Sequence, residues 1–136
     1  MLELYTNDAP LFPYCRFTDA GSAETIAVIG DSHAHVAYPG IAEILYARGI
    51  NTLLLANSGC PALIGAPTGI NSTEKSACSK RIENLIETVI AKNDVKRIFI
   101  FTRGPAYLTG KQSPTPTAAV VEGFKLASVD FKTACK

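Results

Sequence analysis

The sequence predicts an α/β fold: a three-layer α/β/α sandwich built on a parallel sheet. Two observations carry that expectation. Runs of β-branched and apolar residues at 25–29, 51–56 and 95–102 have strand length, and the first two show the pattern of strands buried on both faces. Each run is followed by a longer stretch with apolar residues at helical spacing. Strand and helix alternating in this way bring parallel strands together beneath helices on both faces.

Residues 1–24 show no clear period and carry many turn residues (Asn7, Asp8, Pro10, Pro13, Asp19, Gly21), so they read as a lead-in segment rather than a domain. The first strand, 25–29, ends at Gly30. A helix is expected over roughly 33–48, with Ile41, Ile44, Leu45 and Arg48 at helical spacing. Gly49 stops it at a position that needs positive φ, and Pro39 either opens this helix at its first turn or kinks it. The second strand, 51–56, leads into a loop over 57–73 that is rich in Gly, Pro and Ser. A second helix from about 73 to 92 has its apolar stripe in Ile82, Leu85, Ile86, Val89 and Ile90, with charged residues opposite. After the third strand comes a Gly/Pro/Thr loop to about 117. A last helix is expected over 118–134, with Val120, Phe124, Ala127 and Phe131 on one face. No internal repeat is present. An α/β sheet would next supply another strand, so residues 25–136 read as the N-terminal part of a domain incomplete at its C-terminal end.

With 47% hydrophobic residues the chain can bury a substantial core. The net charge is +1, from 13 basic and 12 acidic residues, and no basic block marks a nucleic-acid surface, so no nucleic-acid partner is expected. The longest apolar runs are strand-sized, well short of the roughly 20 residues of a membrane-spanning helix. The first thirteen residues lack the basic start and apolar stretch of a signal peptide.

The four cysteines, Cys15, Cys60, Cys78 and Cys135, include no C-x-x-C pair, which gives a zinc ribbon or a thioredoxin motif little support. They are either buried thiols or a sign of an oxidising compartment. Cys60 and Cys78 flank the long loop, and neither lies at the centre of an apolar stretch, which favours a bridge between them. Closing that loop would remove roughly 3 kcal/mol of chain entropy from the unfolded state. Cys15 and Cys135 either pair across the domain or stand alone.

In an α/β sheet of this kind the chemistry sits beyond the carboxyl ends of the strands. Gly30 to His33, 56–61 and 102–105 meet that condition. Gly30-Asp31-Ser32-His33-Ala34 lies where a buried strand turns into a helix. A serine there presents its hydroxyl at the sheet edge, and its amide points out of the helix N-terminus, where it can stabilise an oxyanion. Gly30 permits the tight turn, and Asp31 can accept amide hydrogen bonds and hold it. The plainer reading of the same residues is a helix N-cap.

The motif Ala27-Val28-Ile29-Gly30-Asp31-Ser32-His33-Ala34 resembles the first block of SGNH (GDSL-like) hydrolases. It is most similar to the variety fused to acyltransferase-3 membrane proteins, which O-acylate cell-surface sugars. The resemblance continues through Asn57-Ser58-Gly59-Cys60-Pro61 and more loosely to the end of the chain. It implies an SGNH/flavodoxin-like sandwich with Ser32 as nucleophile and the amides of Ser32 and Gly59 as oxyanion donors. It further implies an acyl donor delivered by a membrane acyltransferase domain, a carbohydrate acceptor, no cofactor, and transfer or hydrolysis of an acetyl-like ester. With the loop disulfide, it implies a periplasmic or extracytoplasmic domain of a membrane protein.

Two departures stand out. The family's third block supplies an asparagine, whereas this chain has Thr102-Arg103-Gly104-Pro105; Arg103 is the candidate substitute donor. The family's Asp-x-x-His is also missing: three residues after Asp130 stands Thr133, and no histidine follows His35. His33 is adjacent to Ser32, so the two side chains diverge on a helix, while His35 lies one turn on. The catalytic histidine is therefore expected beyond residue 136, and this stretch by itself is expected to be inactive. Competing readings are a metal-dependent phosphoesterase or amidohydrolase, from Asp31-x-His33 and His33-x-His35, and a non-catalytic carbohydrate-binding module on the same fold. The loops at 56–60 and 102–105 supply neither carboxylate nor imidazole to a metal.

Overall fold

The computed structural model describes residues 5–6, 9–10 and 14–104. The expected helix over 118–134, the end of the loop before it, and Cys135 lie outside the described residues. In chain order the elements are β1 (Tyr5–Thr6), β2 (Ala9–Pro10), β3 (Tyr14–Thr18), β4 (Thr25–Gly30), α1 (Ser32–Tyr46), β5 (Asn51–Ala56), α2 (Ser72–Ile90) and β6 (Val95–Phe101). The short β1 and β2 pair with each other. The main sheet has the order β3-β5-β4-β6.

All six residues of β4 and all six of β5 are buried, which is why both sequences read as continuous apolar runs. They pair in parallel, and β6 pairs in parallel with the other edge of β4. The expected all-parallel sheet is corrected by β3, which runs antiparallel to β5 with Tyr14 opposite Ala56 and Thr18 opposite Thr52. The sheet is mixed because the lead-in segment supplies a half-buried edge strand, with Arg16 exposed, and such a strand has no unbroken apolar run to announce it. Asn51 fixes the turn between β3 and β4. Its Oδ1 accepts from the amides of Ala20 (2.8 Å) and Ser22 (3.2 Å), and its Nδ2 donates to the Ser22 carbonyl (2.7 Å).

Strand alternation sends neighbouring side chains to opposite faces. Ala27, Ile29, Leu53 and Leu55 pack against Cys78, Ile82, Leu85, Ile86 and Val89 of α2. Val28, Leu54 and Ala56 pack against Ala34, Tyr38 and Ala42 of α1. One helix thus covers each face. The buried stripe of α1 is Ala34, Tyr38, Ala42 and Leu45, whereas Ile44 of the expected stripe is 58% exposed. Small residues let α1 approach the sheet closely, and Tyr38 bridges further: its hydroxyl donates to the Thr52 carbonyl (3.1 Å) and lies 2.8 Å from the Thr18 hydroxyl. Pro39 does not open α1; it sits within the helix on the exposed side. On α2, Ile90 falls outside the buried stripe at 49% exposed.

Cys60 and Cys78 form a disulfide with their Cα atoms 5.7 Å apart, tying the loop after β5 to α2. Cys15 is paired with no cysteine among the described residues and packs against the α2-side cluster, where burial pushes its thiol pKa up. A high thiol pKa makes a poor nucleophile, so Cys15 is a packing residue.

At the opposite end of the sheet from the candidate site, Asp94 accepts a 2.6 Å bond from the Thr25 hydroxyl. That bond holds its carboxyl below the ordinary carboxylate range. A carboxylate with a depressed folded-state pKa stabilises the fold above its unfolded value of about 3.9 and loses that contribution as pH falls through the folded one. Thermal melts between pH 6 and pH 2 should therefore show a shallower acid-side loss for Asp94→Asn than for the wild type. The difference is expected to stay under about 1 kcal/mol because Asp94 is largely solvated. Parallel acid-side curves for the two proteins would remove the linkage.

Candidate active site

The carboxyl ends of three strands meet at one level, with Gly30 opposite Ala56 on one side and Phe101 on the other. From β4 the chain passes through α1 to β5, then through α2 to β6 on the far side of β4. The chain thus reverses its direction of travel across the sheet at β4, and α/β sheets bind ligands beyond the carboxyl ends of strands at such reversals. Residues 30–32 stand at the carboxyl end of β4.

Gly30 has φ +146°, and a Cβ built on it would lie 1.8 Å from the Phe101 carbonyl oxygen. Its carbonyl accepts the Asn57 amide (3.0 Å), while the Asp31 amide donates to Phe101 (3.3 Å). The turn is therefore stitched to both neighbouring strand ends.

Asp31 caps α1 and is fully buried. Its Oδ1 accepts the His33 amide (2.8 Å) and lies 3.1 Å from His33 Nδ1. Its Oδ2 accepts the Thr102 hydroxyl (3.0 Å) and the Arg103 amide (2.8 Å). One carboxylate joins the start of α1 to the segment leaving β6. The Ala34 amide donates to the Asp31 carbonyl (3.1 Å), so the cap accounts for the amides of His33 and Ala34. The Ser32 amide, at the first helical position, has no acceptor among the described residues. Helix N-termini leave such donors free and carry partial positive charge.

Ser32 is half-buried, and among the described residues nothing hydrogen-bonds its hydroxyl. His33, with its side chain 53% exposed, is held by Asp31, and His35 stacks on Tyr14 with ring centroids 4.3 Å apart. Both imidazoles thus have partners other than Ser32.

Gly59 lies in the turn after β5. It has φ +64° and is exposed, and the Cys60 amide closes the turn onto the Asn57 carbonyl (3.3 Å). The Thr68 hydroxyl donates to the Gly59 carbonyl, and the Thr68 amide donates to Cys78 Sγ (3.4 Å). Arg103 brings its backbone amide, not its guanidinium, to Asp31, and its side chain is exposed. Thr102 and Thr68 are the site residues that the sequence reading missed. Each is a lone threonine in a loop segment, and the partner that gives it meaning is distant in sequence. Among the described residues no group of three His, Cys, Asp or Glu side chains gathers to hold a metal.

A sequence model of the family described as "SGNH domain (fused to AT3 domains)" matches residues 3–131. The chain belongs to that family. No curated protein and no solved structure matches the chain. The mixed sheet with its two helices is consistent with an SGNH-like fold, and membership gives this SGNH domain an activity class, that of an esterase or acyltransferase-type hydrolase. The family's fusion to AT3 domains is consistent with a membrane acyltransferase partner. No helix among the described residues of the SGNH domain is long and apolar enough to cross a membrane.

Proposed function

We propose that the chain is the SGNH part of a periplasmic, membrane-tethered enzyme that moves an acetyl-like group to or from a sugar hydroxyl through an ester on Ser32. The domain takes the form of a three-layer α/β/α sandwich. The observation that supports the reading is the state of the first turn of α1: Asp31 takes up the His33 amide, and neither the amide nor the hydroxyl of Ser32 has a hydrogen-bond partner among the described residues.

Ser32 Oγ attacks the carbonyl carbon of the acyl donor as its proton passes to a general base. The oxyanion so formed is met by the amides of Ser32 and Gly59, with Arg103 as a third donor in place of the family's asparagine. The donor's acyl bond then breaks, and its leaving group takes the proton. In the second half a sugar hydroxyl attacks the Ser32 ester, the acyl–Oγ bond breaks, and Oγ is reprotonated. Water in place of the sugar gives hydrolysis. Since His33 and His35 are held by Asp31 and Tyr14, the base comes from outside these residues. Asp31 supports the turn and takes no part in proton transfer.

The reading is tested by hydrolysis of p-nitrophenyl acetate by the full-length protein. Ser32→Ala should lower kcat/KM by about a thousandfold or more, the usual consequence of losing a nucleophile. An unchanged rate in a folded variant would remove Ser32 from the chemistry and leave the binding-module reading.

A further inference from the structure

The turn after β5 carries Gly59, and the way this turn is held bears on what the Gly59 amide can do. Asn57 gives its amide to the Gly30 carbonyl (3.0 Å), so the turn is rooted on the strand end that leads into Ser32. The Cys60 amide returns to the Asn57 carbonyl (3.3 Å) and closes it. Between these points lies Gly59, at φ +64°, with no side chain to limit its rotation. Its amide donates to nothing among the described residues. A free donor helps an oxyanion most when its direction is fixed before the charge develops.

Thr68 supplies that constraint. Its hydroxyl donates to the Gly59 carbonyl, and its amide donates to Cys78 Sγ (3.4 Å). Cys78 belongs to α2 and is disulfide-bonded to Cys60, the residue after Gly59. The peptide that joins Gly59 to Cys60 is therefore held at both polar atoms, its C=O by Thr68 and its N–H by the Asn57 carbonyl. The peptide that joins Asn57 to Ser58 is held by the same Cys60 amide. The Ser58–Gly59 peptide, which bears the free amide, thus lies between two anchored neighbours. Thr68 stands nine residues after Gly59 and ten before Cys78, and it is half-buried where it bonds to both.

We infer that Thr68 is a positioning residue for the reaction: its hydroxyl, acting through the Gly59 carbonyl, sets the direction of the Gly59 amide. The inference rests on the acyl-serine reading, in which that amide meets the oxyanion. A group acting in this way has little effect on substrate binding. It is felt when negative charge develops on the carbonyl oxygen, so its loss appears in kcat rather than in KM.

The experiment follows hydrolysis of p-nitrophenyl acetate by the full-length protein carrying Thr68→Val or Thr68→Ser. Valine keeps the side-chain shape and the backbone bond to Cys78 Sγ, and removes only the hydroxyl. Thr68→Val should lower kcat and kcat/KM together by about fivefold or more, with KM within about twofold; deleting an oxyanion donor outright costs roughly a hundredfold. Its Tm should stay within about 5 °C of the wild type, because one neutral and partly exposed hydrogen bond adds little stability. Thr68→Ser, which keeps a hydroxyl at the same place, should recover most of the rate. A smaller loss in Thr68→Val would overturn the inference. So would a loss that Thr68→Ser does not recover, or one that falls on KM or comes with a larger drop in Tm, either of which marks a merely structural role. Ser32→Ala in the same assay keeps the two readings apart. Hydrolysis that Ser32→Ala leaves untouched removes the acyl-serine reading, whereas hydrolysis lost in Ser32→Ala and kept in Thr68→Val removes only the part given to Thr68.

Discussion

Gly30→Ala is expected to prevent the domain from reaching its native fold. The position combines φ +146°, which side chains rarely adopt, with a Cβ site only 1.8 Å from the Phe101 carbonyl oxygen and 3.3 Å from the Ala34 Cβ. The obstacle is backbone of the neighbouring parallel strand, so no rotamer change relieves it. Moving β6 away would break the Asp31 amide bond to Phe101 and the pairing of β4 with β6. A clash of this kind belongs to the rare substitutions that cost more than about 5 kcal/mol. Domain stabilities total about 5–15 kcal/mol, so the variant should be insoluble or lack a cooperative melt. Circular dichroism and thermal unfolding check this. A soluble Gly30→Ala protein melting within about 5 °C of the wild type would show that the turn has room the structure denies it.

Asp31→Asn should fold but lose about 2–4 kcal/mol, which for a domain of this size lowers Tm by roughly 10 °C. The two carboxylate oxygens face donors on both sides: the His33 amide at Oδ1, and the Thr102 hydroxyl and Arg103 amide at Oδ2. An asparagine has one acceptor end and one donor end. Either orientation sets an NH₂ group against a backbone N–H, losing a charge-assisted bond and stranding a buried donor. The same change loosens the start of α1 from the segment after β6, so ester hydrolysis should fall along with stability. A melt within about 2 °C of the wild type would mean that the carboxylate is not what joins these segments.

The central strands were legible because burial on both faces leaves an unbroken apolar signature, and β5 was expected at 51–56, where it lies. The edge strand β3 was not. Its residues are half-buried, and its place in the sheet depends on β5, which follows it by more than thirty residues. The face of α1 was misjudged for a related reason. Ala34 and Ala42 carry little hydrophobic signal, yet they are the residues that let the helix sit close to the sheet, while Ile44 points to solvent. At the site, the strand-to-helix turn at Gly30 was legible from the end of the buried strand, but Gly30, Asp31 and Ser32 read as well as a plain helix N-cap, the part that Asp31 plays in the structure. The Cys60–Cys78 bridge was inferred from loop composition and stands in the structure. What no local pattern held was the set of partners, Thr102 for Asp31 and Thr68 for Gly59, because these bonds form only when segments distant in the chain are brought together.

The central claim is that Ser32 is the nucleophile, and covalent labelling tests it most directly. The full-length protein is treated with a fluorophosphonate, digested, and its peptides are weighed. The account predicts a phosphonyl adduct on Ser32 that is absent in Ser32→Ala. A folded protein that takes up no label, or takes it up at another residue with Ser32 unmodified, would contradict it.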